Sequence, residues 1–215
     1  MSYEAVIFDL GGVVLGSPLH AIARYERDRR IPTGFINRVV VETGPGGAWS
    51  RLECGELELE AFYAAFERDC EAAGATISAR VLMERVAEAA QPRPAMLAAV
   101  AAIRSRGLKA AALTNNWVGE GDGTRPLQPH FDAFIESSAL GLRKPDPRIY
   151  RHTCSTIGVD PTCAVFLDDI GRNLKTAREL GMTTIKVDEP EEALAELERV
   201  LGFPLRGRGL LDASP

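Results

Sequence analysis

The stretch AVIFDLGGVV, residues 5–14, decides the fold of this chain. Four apolar residues run directly into Asp9, and a pair of glycines follows almost at once. A short apolar run that ends in turn residues is typical of a buried strand in a parallel sheet. Because such sheets bind ligands beyond the carboxyl ends of their strands, we expect Asp9 at the mouth of a crevice. The alternative at this point is an aspartate that only caps a turn.

The composition is that of an ordinary globular protein. The 215 residues are 46% hydrophobic and 26% charged, with a net charge of −5. This mild acidity argues against a nucleic-acid partner, because phosphate backbones need a basic face. The cysteines lack the spacing of a zinc site or a disulfide framework, which fits reduced thiols. With no basic leader and no apolar run of membrane-spanning length, we expect a soluble, cytoplasmic protein without a membrane partner.

A long helical interval follows the first strand. Apolar residues at helical spacing predict helices over 19–30, 33–42, Leu59–Phe66 and Ile77–Val86. Nothing between about 17 and 92 resembles a buried strand. We therefore predict a helical cap domain over 17–92, inserted into a core formed by 1–16 and 93–215.

The second half of the chain alternates helix and strand. Short apolar runs predict strands over 109–113, 131–135, 164–167 and 183–187. Asp146-Pro147 has the residues of an N-cap and a first helical position. Repeated strand–helix units with short connections imply a parallel α/β sheet with helices on both faces. The tail from Leu205 onward is predicted to be loosely held.

Polar residues follow three of the predicted strands, namely Asp9, Thr114-Asn115 and Asp168-Asp169. Each has an ordinary alternative as a turn or N-cap, and Lys144 could be a surface charge. Their coincidence at successive strand ends favours one site. Crowded carboxylates raise each other's pKa unless a cation such as Mg²⁺ neutralises them. The lysine and the threonine hydroxyl would then serve an anionic group, most simply phosphate.

The chain resembles the haloacid dehalogenase superfamily of hydrolases over almost its whole length. The resemblance rests on four motifs: FDLGGVV at Phe8–Val14, LTNN at Leu113–Asn116, LRKPDP at Leu142–Pro147 and FLDD at Phe166–Asp169. The runs HFDAFIES from His130 and VFLDDIGRNL from Val165 are similar to the N-terminal phosphatase domain of soluble epoxide hydrolases. The resemblance implies a Rossmann-like core with a helical cap inserted after the first strand.

The resemblance also implies roles for the motif residues. Asp9 would be the nucleophile that forms an aspartyl-phosphate, and Lys144 would neutralise it together with the phosphate. The implied metal ligands are Asp9, the backbone carbonyl of Gly11, Asp168 and Asp169. The expected phosphate-binding and substrate-binding residues are Thr114, Asn115, Asn116 and Gly12.

One departure from the family pattern lies two residues after the nucleophile. Phosphatases of the family usually carry an aspartate there, which protonates the leaving alcohol and then activates water; this chain has Gly11. Such proton transfer is worth about 10²–10⁴-fold in rate, while positioning and electrostatics carry most of phosphoryl transfer. We expect weakened turnover with capture of phosphate retained. His20 and Glu53 in the cap are candidate replacement acids.

The sequence leaves three functions open. The first is a Mg²⁺-dependent phosphatase of small phosphorylated metabolites. The second is a non-catalytic phosphate binder or regulator, favoured by Gly11 and disfavoured by Asp9 and Lys144. The third is a haloacid dehalogenase, which the acidic pair of residues 168–169 disfavours. Trp49 and Trp117 are candidates to line the substrate pocket.

Overall fold

Five parallel strands form a sheet in the order β3-β2-β1-β4-β5. The computed structural model describes residues 2–117 and 124–205. The strands are β1 (Ala5–Phe8), β2 (Lys109–Thr114), β3 (Ala133–Glu136), β4 (Ala164–Asp168) and β5 (Thr183–Lys186). Because β1 lies between β2 and β4, the carboxyl ends of these three strands meet at one edge. The predicted α/β fold class is confirmed.

Helices flank the sheet and fill the interval after β1. In chain order they are α1 (Pro18–Arg29), α2 (Phe35–Thr43), α3 (Ala48–Glu53), α4 (Leu59–Ala72), α5 (Ala79–Ala89), α6 (Pro94–Ser105), α7 (Ser137–Leu140), α8 (Pro147–Ile157), α9 (Gly171–Glu179) and α10 (Pro190–Leu201). The predicted Asp146 cap is present, since its carboxylate accepts the Arg148 N–H at 2.8 Å.

The central strand is buried on both faces, as its continuous apolar pattern predicts. Successive side chains of a strand point to opposite faces. Val6 and Phe8 pack in a cluster with apolar residues of α6 and α10, while Ala5 and Ile7 pack in another with residues of α8 and α9. Helices therefore cover both faces of the sheet, and the free edge at the strand ends is where a site can form.

Helices α1–α5 share a third apolar cluster, which we call the cap core; its largest fully buried members are Tyr25, Phe62 and Phe66. The all-helical insertion after β1 is thus confirmed, although α3 was not predicted. The chain enters and leaves the insertion side by side: Leu15 pairs with Pro92, and the Gly16 N–H donates to the Gln91 carbonyl at 2.9 Å.

The division of the chain at 17 and 92 stays a prediction. The predicted loose tail falls almost entirely on residues 206–215, outside the described part of the chain. Within the described residues, no helix has both the length and the apolar character that a membrane crossing needs.

Candidate active site

A buried lysine bridges two aspartates at the carboxyl edge of the sheet. Asp9 directly follows β1, and Asp168 ends the neighbouring β4. The Nζ of Lys144 lies 2.7 Å from an oxygen of each carboxylate. Burial disfavours the lysine charge, but the charges of Asp168 and Asp9 outweigh it and raise the pKa of Lys144. The lysine is therefore a fixed positive charge.

Asp9 is both a turn cap and a member of this cluster. Its Oδ1 accepts the Leu10 N–H at 2.7 Å, as the simpler interpretation of the sequence predicted, and also faces Lys144. Among the described residues, none donates a hydrogen bond to its Oδ2. Burial raises the pKa of Asp9 well above its ordinary range, with smaller contributions from Asp168 and Asp169, and Lys144 opposes the rise. One carboxylate oxygen is thus held in place while the other is left for a ligand.

Both carboxylate oxygens of Asp168 accept hydrogen bonds from the protein. Its Oδ1 accepts the Ile170 N–H at 2.7 Å, and its Oδ2 accepts Lys144. The side-chain amide of Asn173 lies 3.1 Å from both oxygens. The Oδ1 of Asn173 is itself buried and has no donor in the described chain. Asp168 therefore orients Lys144 and Asn173.

Asp169 completes an acidic cluster that suits a cation. Ligand oxygens of Asp9, Asp168 and Asp169 lie within 4.8 Å of one another. Burial raises the pKa of Asp169 to about 6, Asp168 adds to the rise, and Lys144 and Arg93 oppose it. Its carboxylate accepts no hydrogen bond from another residue within the described ranges. Closely spaced, partly unpaired carboxylates are the oxygen ligands that Mg²⁺ prefers, so the residues fit this ion.

A glycine turn shapes the floor of the site after Asp9. Gly12 has a φ of +81°, and a Cβ there would overlap the carboxylate of Asp169, so both conformation and space require glycine. The backbone of Gly11 would accept any residue, with φ −62° and ψ 124°. A Cβ on Gly11 would lie only 3.3 Å from the ring of Pro18. The start of α1 therefore crowds the position where the family carries its aspartate.

The residues that follow β2 have different roles from one another. Asn115 lines the cavity, and its Oδ1 accepts the Lys144 N–H at 2.8 Å. Thr114 is buried at the end of β2 and does not line the cavity. The amide of Asn116 donates to Glu136 at 2.6 Å and accepts from Ser138 at 3.1 Å, away from the cavity. We therefore do not propose Asn116 as a substrate-binding residue.

One cavity joins the acidic cluster to the cap. Its polar lining includes Asp9, Asp169 and Lys144 from the core. Its apolar lining comes from α1, α2 and α3: Pro18, Leu19, Ile22, Ile36, Val40 and Trp49. Trp49 is thus a pocket residue, as anticipated, whereas Trp117 packs against the cap core. The cavity is charged at the sheet edge and apolar beneath the cap.

Glu53 is the polar link between cap and core. It ends α3, and its Oε2 lies 2.6 Å from an Arg143 nitrogen and 3.2 Å from the Asn115 amide. Its Oε1 accepts the indole N–H of Trp49 at 2.8 Å. These contacts engage both carboxylate oxygens of Glu53. His20 is exposed and lies with Gly12 and Asp169 on a second cavity.

Sequence reasoning missed two arginines of the cavity. Arg143 directly precedes Lys144, and Arg172 lies in the first turn of α9, three residues after Asp169. Proximity to motif residues was the available signal, but arginine at such positions is also common on surfaces. The short helix α3 has a helical signal in Trp49, Leu52 and Glu53, at positions i, i+3 and i+4.

Comparison with known proteins places the chain in a family. A family model described as haloacid dehalogenase-like hydrolase matches residues 3–181. The chain therefore belongs to the haloacid dehalogenase-like hydrolases, as its four motifs predicted, and it is a hydrolase. The fold agrees: a family enzyme of Bacteroides thetaiotaomicron, solved with magnesium and inorganic phosphate, superposes with a TM-score of 0.63 at 21% identity over 87% of this chain and 96% of that one.

Curated relatives include larger proteins and one of similar length. The chain is 40% identical over 209 residues to acyl-CoA dehydrogenase family member 10 of Mus musculus, covering 95% of this chain and 20% of that protein. It is 35% identical over 221 residues to bifunctional epoxide hydrolase 2 of Sus scrofa, covering 95% and 40%. It is 30% identical over 197 residues to phosphatase MT3486 of Mycobacterium tuberculosis, covering 87% and 88%. The chain thus spans less than half of the first two relatives, and the resemblance to epoxide hydrolases is confirmed.

Proposed function

We propose that the protein is a Mg²⁺-dependent phosphatase of small phosphorylated metabolites, with a phosphoryl group carried on Asp9. The observation that carries the proposal is the buried Asp9 carboxylate, held at one oxygen by Lys144 and facing a cavity with the other groups of the site. A phosphatase among the relatives and a magnesium–phosphate complex among the structural neighbours support it.

Asp9 and Asp169 are the side chains that would hold the magnesium ion, together with the carbonyl oxygen of Gly11. Asp168 acts on the site indirectly, because both of its oxygens are occupied by Ile170, Asn173 and Lys144. When bound, the ion supplies charge neutralisation that lets a phosphate dianion approach a cluster of carboxylates.

The chain's own residues account for the transfer step. Lys144 neutralises Asp9 and draws a phosphate oxygen, while the Asn115 amide, bonded to both the N–H and the carbonyl of Lys144, holds the lysine in position from the side of β2. The free Asp9 oxygen then attacks phosphorus in line with the leaving oxygen. Water hydrolyses the acyl phosphate and releases inorganic phosphate. Thr114 and Gly12 shape the backbone around this centre.

The cap determines what else the cavity can bind. Except for Asn37, its lining side chains from α1 and α2 are apolar, including Leu19, Ile22 and Val40. Burying apolar surface stabilises a complex by about 25 cal/mol per Å². The cavity therefore favours a phosphate ester whose organic part is apolar over a sugar phosphate.

The test is direct detection of the phosphoryl group on Asp9. The protein is mixed with p-nitrophenyl phosphate and Mg²⁺, quenched in acid, and analysed by mass spectrometry of peptides containing residue 9. We expect a phosphate adduct on Asp9 that disappears with EDTA and in Asp9→Asn. Asp28→Asn, an exposed cap aspartate paired with Arg85, is the matched control and should keep the adduct. Phosphate release by Asp9→Asn at the wild-type rate would overturn the proposal.

A further inference from the structure

The cavity carries more positive charge than capture of one phosphate requires. Lys144 serves Asp9, and Arg143 and Arg172 line the same cavity. Arg172 is exposed and forms no hydrogen bond or ion pair among the described residues, although the charges of Glu53 and Asp168 act on it. Burial of part of the side chain, and then the charge of Arg143, lower the pKa of Arg172. The two guanidinium groups are therefore close enough to repel each other electrostatically.

Arg143 is anchored but not fully satisfied. Its terminal nitrogens contact Glu53 at 2.6 Å and the Ser50 hydroxyl at 2.5 Å. Its Nε is buried, and no acceptor reaches it within the described chain. A buried donor without a partner costs about 1–3 kcal/mol, so a ligand oxygen beside Arg143 would recover free energy. This is an independent sign of a second anionic group next to the phosphate on Asp9.

Among the described residues, the same cavity has no carboxyl group left free to protonate a leaving alcohol. Its carboxyl groups are Asp9, Asp169 and Glu53. Asp9 is the nucleophile, Asp169 belongs to the acidic cluster, and both oxygens of Glu53 are engaged by Arg143, Asn115 and Trp49. The position of the family's acid is Gly11, and the Pro18 ring crowds the space beside it.

We propose that the preferred substrate is an organic diphosphate, cleaved at the bridging oxygen, with Arg143 and Arg172 holding the phosphate that leaves. The inference rests on the proposed function, since it uses Asp9 as the acceptor of the terminal phosphoryl group. An organic monophosphate is stable as an anion and leaves without a proton, so Gly11 is no handicap. An alcohol leaving from a monoester needs the proton that this cavity does not provide.

The step balances without a further reactant. A bond forms between an Asp9 oxygen and the terminal phosphorus, and the bond from that phosphorus to the bridging oxygen breaks. The bond's electron pair stays on the bridging oxygen, which leaves as part of the organic monophosphate beside Arg143 and Arg172. Water then adds to the phosphorus on Asp9, and the bond from phosphorus to the Asp9 oxygen breaks, with its electron pair returning to the Asp9 carboxylate. One proton of the water goes to the phosphate or to solvent, and inorganic phosphate is released.

The first experiment compares substrates that share an organic group. Hexyl diphosphate, hexyl phosphate and p-nitrophenyl phosphate are assayed with Mg²⁺, and kcat/KM is used because it reports on transfer to Asp9. Proton transfer to an alcohol is worth about 10²–10⁴-fold, so kcat/KM for hexyl diphosphate should exceed that for hexyl phosphate by at least about 100-fold. Comparable values for the two hexyl substrates would overturn the inference.

The second experiment removes the unpaired guanidinium. Arg172→Ala should lower kcat/KM for hexyl diphosphate about tenfold, the scale of one lost charged hydrogen bond. It should change kcat/KM for p-nitrophenyl phosphate by less than about twofold, because that substrate has no second phosphate. Lys175→Ala, an exposed cation on the same helix, is the matched control and should leave both substrates unaffected. An equal loss on both substrates in Arg172→Ala would contradict the assigned role.

Failure of the inference and failure of the proposed function give different results. If the function itself is wrong, none of the three substrates will place phosphate on Asp9. If only the inference is wrong, p-nitrophenyl phosphate will phosphorylate Asp9 while hexyl diphosphate does so no faster than hexyl phosphate.

Discussion

The sheet edge and the cap line the same cavity with different chemistry. At the sheet edge, Asp9, Lys144 and Asp168 are almost completely buried, and the Lys144 Nζ lies 2.7 Å from an oxygen of each aspartate. On the cap side, apolar side chains of α1 and α2 face the cavity, and their helices pack mainly through the cap core. Polar contacts between the two regions join Glu53 to Arg143 and Asn115, and Ser50 to Arg143.

The groups that carry out the reaction therefore lie apart from the side chains that select the substrate. The pairing of β1 with β4 positions Asp9 and Asp168, and contacts with these two carboxylates and with Asn115 hold Lys144 between them. The cap covers these groups and presents an apolar wall to the organic part of the substrate. Changes at the sheet edge should therefore abolish the reaction, while changes in the cap should alter binding.

The largest effect is expected when the bridging cation is removed. Lys144→Met leaves Asp9 and Asp168 buried without their shared partner, and breaking such a pair typically costs about 3–5 kcal/mol of stability. Loss of a positioned charge at the phosphate should also lower kcat with p-nitrophenyl phosphate by about 10³-fold. Urea denaturation and steady-state kinetics measure the two effects.

A double variant tests whether the stability loss arises from uncompensated charge. Lys144→Met combined with Asp168→Asn removes one of the two orphaned carboxylates and should recover about 1–2 kcal/mol of the loss, without recovering activity. Lys175→Met, at an exposed site, controls for the substitution itself. A normal kcat in Lys144→Met would contradict the view that the groups at the sheet edge carry out the reaction.

The next effect concerns Gly11, where the sheet edge meets α1. Gly11→Asp should raise kcat/KM for hexyl phosphate about tenfold, part of the 10²–10⁴-fold that a general acid provides. Because a Cβ there lies 3.3 Å from the Pro18 ring, the gain should be larger in a Pro18→Ala background. p-Nitrophenyl phosphate should show no gain, since its leaving group needs no proton.

Gly11→Asn is the matched control for this prediction. It has the size of the aspartate variant but no proton to transfer, so it should not accelerate hydrolysis of hexyl phosphate. Equal acceleration by both variants would mean that the effect comes from the turn or from Pro18 rather than from acid catalysis.

The sequence predicts the two regions unequally well for a physical reason. Asp9 and Asp168 follow from local patterns, because a polar residue at the end of a buried parallel strand has its place set by the sheet. Lys144 lies in the loop before α8 and was predicted from its motif instead. The position of Glu53 depends on how α3 packs on α4 and on the core, and helix–helix pairing leaves no comparable pattern in the sequence. The sequence predicted helices α1, α2, α4 and α5 individually. It did not predict that they pack together in the cap core.

Two further features lay beyond sequence reasoning. Arg172 shares its residue type and its helix with ordinary surface cations, and only the shape of the cavity distinguishes it. Asn116 adjoins Asn115 in the same motif, yet its amide is bonded to Glu136 and Ser138. Which of two neighbouring amides faces a ligand is decided by the path of the chain after β2.

A smaller effect is expected from Asp169 on the stability of the metal-free protein. Its folded-state pKa of about 6 lies above the ordinary 3.8, so ionisation disfavours folding at pH above about 6. The cost fades as pH falls from about 6 to 4. Asp169→Asn should therefore stabilise the protein in EDTA by about 1–2 kcal/mol at pH 8, a figure reduced for solvent screening, and by little at pH 4.5.

With Mg²⁺ bound, the wild type should instead be more stable than Asp169→Asn. Binding adds RT ln(1 + [Mg²⁺]/Kd) to the free energy of unfolding of the wild type, about 2.7 kcal/mol at 100 times Kd, and less to Asp169→Asn. Asp188→Asn, at an exposed aspartate near the same edge, should respond to neither pH nor metal in this way. Urea denaturation at both pH values, with EDTA or Mg²⁺, measures all four cases. A Mg²⁺ response of equal size in Asp169→Asn would remove this residue from the metal site.

The smallest effect is expected at the link between the two regions. Glu53→Gln keeps an oxygen for the Trp49 indole and loses the ion pair with Arg143, which lies 2.6 Å away. KM for p-nitrophenyl phosphate should rise by about threefold to fivefold, the scale of a weak ion pair, with little change in kcat. Glu60→Gln, at an exposed cap position paired with Arg80, should change neither constant. If Glu53→Gln instead lowers kcat for hexyl phosphate by 100-fold or more at constant KM, then the cap supplies the missing acid, and the separation between sheet edge and cap does not hold.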